Sequence, residues 1–169
     1  TKTCIEEIVG YIKTVLGNIY MIAKAVKGSW TFDNELAKGE IKHIDHNKLT
    51  EQQKRRLFDL IIEGLVELNA SKLLLKDFSL NNVMLTNKSL VFTDLRNLRA
   101  ARKKYSLVEE FRKSVRYLIA QGFGAKEDAY KAAAYYCAAL SEECDSWYCE
   151  KTGSKPADSY EVALSLERA

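Results

Sequence analysis

Leu73-Leu74-Leu75-Lys76-Asp77-Phe78-Ser79-Leu80-Asn81-Asn82-Val83-Met84-Leu85, followed across Thr86-Asn87-Lys88-Ser89 by Leu90-Val91-Phe92-Thr93-Asp94-Leu95-Arg96, is the stretch on which the fold turns. Its order is an apolar strand, a carboxylate, four residues, an asparagine, a small hairpin and a second carboxylate. Leu73–Asp77 has the length and composition of a short buried strand ending in a charge. Val83–Leu85 and Leu90–Phe92 are two β-type runs around a polar turn, the pattern of a hairpin.

Upstream of this stretch lies the clearest helix signal. Thr50 is placed to cap it, and Gln53 answers three residues later as the capping-box partner. Leu57, Ile61, Leu65 and Leu68 then run along one face, widened by Phe58, Ile62 and Val66, and Asn69-Ala70-Ser71 ends the helix. Residues 31–48 read as a short helix plus loop, with His43 and His46 solvated. Further back, residues 4–16 read two ways: Ile5, Ile8, Val9, Ile12 and Leu16 suit a helix, while Tyr11–Leu16, a Gly17-Asn18 turn and Ile19–Val26 as a buried strand closed by Gly28-Ser29 make residues 11–26 a two-stranded hairpin. Downstream, Leu107, Phe111, Val115, Leu118 and Ile119 keep helical spacing. Gly122-Phe123-Gly124 breaks the chain, Asp128–Leu140 is an Ala-rich helix, and Tyr160–Leu166 fits a last helical turn or two.

Composition agrees with a globular chain. There are 169 residues, 47% of them hydrophobic and 29% charged, with a net charge of +3. That length suits one domain, or one domain plus a short appendage, and buries a core without staples. The charge is too small to argue for nucleic acid, and no apolar run is long enough to cross a bilayer. A single proline and few glycines favour a mainly α chain with small β-hairpins, an α+β class. Cys4, Cys137, Cys144 and Cys149 read as free thiols of a reducing compartment, with a Cys144–Cys149 disulfide or a weak metal site including Cys137 as alternatives. Their spacing matches no zinc pattern.

Phosphoryl transfer needs parts of the kind found between Asp77 and Asp94. One carboxylate accepts or orients the acceptor hydroxyl. An Asn side-chain oxygen and a second carboxylate hold the metal ions that bridge the nucleotide phosphates. The bland reading of the same residues is that Asp77, Asn81 and Asn82 are turn formers.

Leu75-Lys76-Asp77-Phe78-Ser79-Leu80-Asn81-Asn82 resembles the protein-kinase catalytic loop, H-R-D-x-x-x-x-N, and Thr93-Asp94-Leu95-Arg96 resembles the D-F-G segment. The resemblance implies the C-terminal lobe of a kinase-like fold, with the N-terminal lobe largely absent from this chain. It implies Asp77 as the catalytic base, with Asn82 and Asp94 holding Mg2+. It also implies an adenine pocket met by the backbone of Lys24 and Val26 and floored by Met84, with ATP as the phosphate donor. Leu75 stands where the family has His, Leu95 and Arg96 stand where it has Phe and Gly, and no Gly-rich loop, V-A-I-K lysine or A-P-E segment is found.

Asp94-Leu95-Arg96-Asn97-Leu98 narrows the resemblance to the small effector kinases that pathogenic bacteria secrete into host cells, which lack an activation segment. It covers about residues 8–105. The expected division is 1–28 as the last N-lobe strands and hinge, 29–125 as the C-lobe core, and 126–169 as a helical extension. Since the chain opens on Thr1, the glycine loop and lysine are expected upstream. The expected activity is phosphorylation of a protein hydroxyl, of Ser/Thr more than Tyr, in a cytoplasm or in a host-cell cytosol. An inactive kinase-like module (a pseudokinase) that binds a partner protein is the alternative. The basic run Arg96, Arg99, Arg102, Lys103, Lys104 is read first as a solvated helix face. An acidic-partner dock, a phosphate anchor near Asp94 and a nucleic-acid surface are its other readings. Tyr130, Tyr135 and Tyr136 are expected to pack.

Overall fold

The computed structural model describes residues 8–13, 19–23, 29–86, 90–93 and 95–168. They form a mixed α and β structure with five α-helices and eight short strands among the described residues. The chain divides into two compact units. One is built from the residues up to Asp45 together with Leu80–Leu95; the other comprises His46–Ser79 and Arg96–Ala169.

The first unit is built on strands. β1 (Ile8–Lys13) and β2 (Ile19–Ala23) pair antiparallel, with Lys13 opposite Ile19 and an irregularity between Ile8 and Gly10. The two strands are paired as expected, but the first begins three residues before the expected Tyr11, and residues 14–18 and 24–28 lie outside the described residues. A second sheet has the order β4-β3-β6-β7 and contains β3 (Trp30–Thr31), β4 (Lys42–His43), β6 (Val83–Leu85) and β7 (Leu90–Phe92). β6 and β7 form the expected hairpin, Val83 opposite Phe92. β3 pairs antiparallel with β6 and parallel with β4. Ser29, Thr31, Val83 and Phe92 are almost fully enclosed, so the small core of this unit lies on that sheet. The short helix expected within 31–48 is only a 3-10 turn at His46–Lys48. Two-residue strands stand where a helix was read, because the span is too polar to bury a helical face.

The second unit is helical. α1 (Glu51–Ala70) begins at Thr50, whose hydroxyl accepts the Gln53 N–H while the Gln53 side chain accepts the Thr50 N–H. Its apolar face is buried, with Ile61 fully enclosed. Asn69 ends it as a buried clip. Its amide donates to the Leu73 carbonyl at 3.1 Å and accepts from the Tyr136 hydroxyl at 2.9 Å. β5 (Leu73–Leu75) follows and pairs antiparallel with β8 (Leu98–Ala100), Leu75 opposite Leu98.

α2 (Lys104–Ala120), α3 (Lys126–Ala139), α4 (Ser141–Thr152) and α5 (Ser159–Arg168) complete this unit. Tyr136 of α3 stacks on Phe111 of α2, centroids 4.0 Å apart, and Tyr130 meets Tyr160 edge-on, whereas Tyr135 stays exposed. On α2, Glu109 accepts from the Trp147 indole at 2.7 Å, from Lys151 at 3.1 Å and from Arg112. Arg112 also lies over the Trp147 ring and donates to the Leu166 carbonyl. That network joins α2, α4 and α5. Helix α4 was not expected from the sequence, where five charges in Ser141–Thr152 hide the buried set Cys144, Trp147 and Tyr148.

Three of the four cysteines are described here, and Cys4 lies outside the described residues. Cys137, Cys144 and Cys149 are free thiols. Cys144 and Cys149 lie on the same helix, where five positions place them on different faces and no bridge can close.

Candidate functional site

Asp77 is presented by two buried anchors. Leu75 before it is 2% exposed and Phe78 after it is 7% exposed, the Phe78 ring standing edge-on to Tyr117 at 5.8 Å. Between these anchors the Asp77 carboxylate faces solvent, on a backbone with φ of +54°. That left-handed conformation costs a non-glycine residue about 1 kcal/mol, least for Asp and Asn. It turns the chain sharply out of β5 and aims a polar side chain outward. Leu75 is a core residue.

Two backbone hydrogen bonds organise the stretch, one in each unit. In the helical unit the Lys76 N–H donates to the Asn97 carbonyl at 2.9 Å, extending the β5–β8 pairing to the residue before Asp77. In the strand unit the Thr93 N–H donates to the Asn82 carbonyl at 2.8 Å, so the hairpin returns the residue before Asp94 to Asn82 itself. The Asn82 side chain and Met84 are half-buried. Asp77 belongs to the helical unit; Asn82 and Met84 belong to the strand unit. Asp94, Lys24 and Val26 lie outside the described residues.

The Asn82 amide oxygen is a hard-oxygen donor of the kind Mg2+ takes. The Asn82 carbonyl is occupied by the Thr93 N–H, and the residue is half-buried. Among the described residues no group of three or more His, Cys, Asp and Glu is arranged to hold a metal. His43 is exposed, as expected, while His46 is half-buried and its ring lies 6.4 Å from that of Phe123.

Lys113 of α2 was missed by the sequence reading. Its ammonium is held above its ordinary value first by Glu110, at 2.9 Å, and more weakly by the charge of Asp77. A cation thus stands within electrostatic reach of Asp77, brought there by helix packing with no motif to announce it. The basic run is also placed differently from the helix-face reading. Arg96 sits in a 3-10 turn, Arg99 in β8, Arg102 and Lys103 in a loop, and only Lys104 begins α2; all five are exposed. Helical spacing is lost because Leu98–Ala100 is extended to pair with β5.

No protein-family model, curated protein or solved structure matches the chain. No helix of the described residues is long and apolar enough to cross a membrane.

Proposed function

We propose that this chain is the C-terminal-lobe portion of a minimal kinase-like protein that transfers the γ-phosphoryl group of ATP to a protein hydroxyl. The observation that supports this most is the pair of backbone closures, Lys76 to Asn97 and Asn82 to Thr93, on either side of the Asp77 turn. Each closure fixes its own segment, the residue before Asp77 in the helical unit and Asn82 with Thr93 in the strand unit, and a carboxylate, an amide and a second carboxylate follow one another along the chain in the order that phosphoryl transfer uses.

In this reading Asp77 accepts the hydrogen bond of the acceptor hydroxyl and takes its proton as the oxygen attacks the γ-phosphorus and ADP departs. Asn82 and Asp94 hold Mg2+, which supplies charge neutralisation along the phosphates. Lys24 and Val26 offer backbone groups to the adenine, and Met84 lies beneath it. The small activation-loop-free effector kinases of pathogenic bacteria remain the subgroup of choice, because helix α2 begins only a few residues beyond β8.

The test is radiolabel transfer from ATP by the complete protein, alone and with an acceptor protein, compared with Asp77→Ala. Loss of label in the variant is expected. Equal incorporation in both would remove Asp77 from the chemistry.

A second reading, an inactive kinase-like module that docks a partner, is favoured by the burial of Leu75 in the place of the catalytic-loop His. Magnesium-dependent stabilisation of the chain by ATP, lost in Asp94→Ala, separates the two. It is expected under the first reading and excluded by the second.

A further inference from the structure

The helical unit carries a second concavity, wholly within its own elements and independent of the Asp77 stretch. It is a groove of about 320 Å³ between α2, α3 and α5. Phe111, Val115 and Ile119 of α2 line it with Leu166 of α5, so its floor is apolar. That floor is held in place: Phe111 is stacked on Tyr136, and Leu166 is anchored through its carbonyl to Arg112 at 3.2 Å. Small side chains at Ala129 and Ala133 of α3 leave the space open.

The polar groups at this groove are mostly of one sign. Arg112, Arg116 and Lys126 line it against the single carboxylate of Glu167, which lies 3.9 Å from Lys126. Arg112 is almost buried, with Nε given to Leu166 and Nη1 to Glu109. Arg116 is exposed and forms no hydrogen bond or ion pair with a described residue. The two guanidiniums are four positions apart on α2, the spacing at which like charges on a helix repel. Burial pushes Arg112 below its ordinary value, Glu109 opposes this, and the Arg116 charge pushes the same way as burial. A concave apolar floor with a few converging groups of one charge is the chemistry of a small-molecule site, and here the missing partner is an anion.

We propose that this groove binds a small amphipathic carboxylate, its short apolar body on Phe111, Val115, Ile119 and Leu166 and its carboxylate against Arg116 beside Arg112. At the roughly 30 Å³ a water-sized group takes up in a liquid, the space admits about ten non-hydrogen atoms, the size of an eight-carbon acid. The carboxylate relieves the repulsion between the two arginines, and Arg116 offers it a two-pronged hydrogen bond.

The probes are octanoate and 1-octanol, titrated into the full chain and followed by calorimetry and by amide chemical shifts of α2, α3 and α5. Saturable one-to-one binding of octanoate is expected, with 1-octanol at least about tenfold weaker, the size of one charge-assisted contact. Arg116→Ala, at an exposed position, should weaken octanoate about tenfold and leave octanol unchanged. Ala129→Phe should fill the groove and abolish both. Each variant is checked for an unchanged thermal melt. No saturable octanoate binding, equal affinity for the alcohol, or full octanoate affinity in Arg116→Ala would each overturn the proposal.

Discussion

At the scale of single residues, Asp77 separates backbone cost from chemistry. Its φ of +54° is one that glycine adopts freely. Asp77→Gly is therefore expected to hold or raise the urea midpoint, whereas Asp77→Ala costs about 1 kcal/mol. Under the phosphoryl-transfer reading both lose label incorporation alike; activity retained in the glycine variant would refute that reading even with the fold intact. Asn69 makes the opposite case. Asn69→Ala leaves the Leu73 carbonyl and the Tyr136 hydroxyl without their partner, an expected loss of about 2–4 kcal/mol read from denaturant unfolding. Glu143 supplies the pH dependence. Burial works to raise this carboxylate, but the Lys72 ammonium bonded to it, helped by Lys104, holds it below its ordinary value. A carboxylate depressed in the folded state binds its proton more readily when unfolded. Its contribution is therefore present above the ordinary carboxylate value and is lost as pH falls through the lower, folded value. The melting-temperature gap between the parent and Glu143→Gln should narrow on acidification below about pH 4.5.

At the scale of elements, what was legible and what was hidden follow from length and charge. The α1 signal was readable in full because capping box, apolar face and Ser71 exit all agreed. The β6–β7 hairpin was readable because two apolar triplets flank a polar turn. β3 and β4 were not, since two residues carry no periodicity and their pairing comes from partners distant in sequence. Helix α4 hid behind its charges, one of which, Glu143, is itself buried by its ion pair with Lys72. The candidate site divides the same way. Asp77 and Asn82 declared themselves by spacing, while Lys113 reached Asp77's field only through the packing of α2. The helix ends also give a clean measurement. Gly153 closes α4 at φ +73° with nothing within 4 Å of an added methyl group. Gly153→Ala should therefore cost about 1 kcal/mol from backbone strain alone. A loss several times larger would mean that contacts, not dihedral angle, set the penalty.

At the scale of the whole molecule, neither unit is a continuous length of chain. Leu80–Leu95 leaves the helical unit after Ser79, and the Lys76–Asn97 hydrogen bond fastens the two strands of that excursion near its base. Replacing Leu80–Leu95 by a short Gly-Ser linker is therefore expected to leave the helical unit with a cooperative thermal melt by circular dichroism. A broad, non-cooperative melt would show that this unit depends on the strands. The same interleaving bears on how the chain is made. On the ribosome, Trp30 and Thr31 emerge well before Val83–Leu85, the strand that pairs with them, and the whole of α1 is synthesised in between. Once outside the tunnel, the edge of β3 that belongs to β6 waits unpaired until Val83–Leu85 follows it out, offering open backbone donors and acceptors to whatever nascent-chain factor stands at the exit. Slowing translation after Ala70 lengthens that exposure, and speeding it shortens the interval.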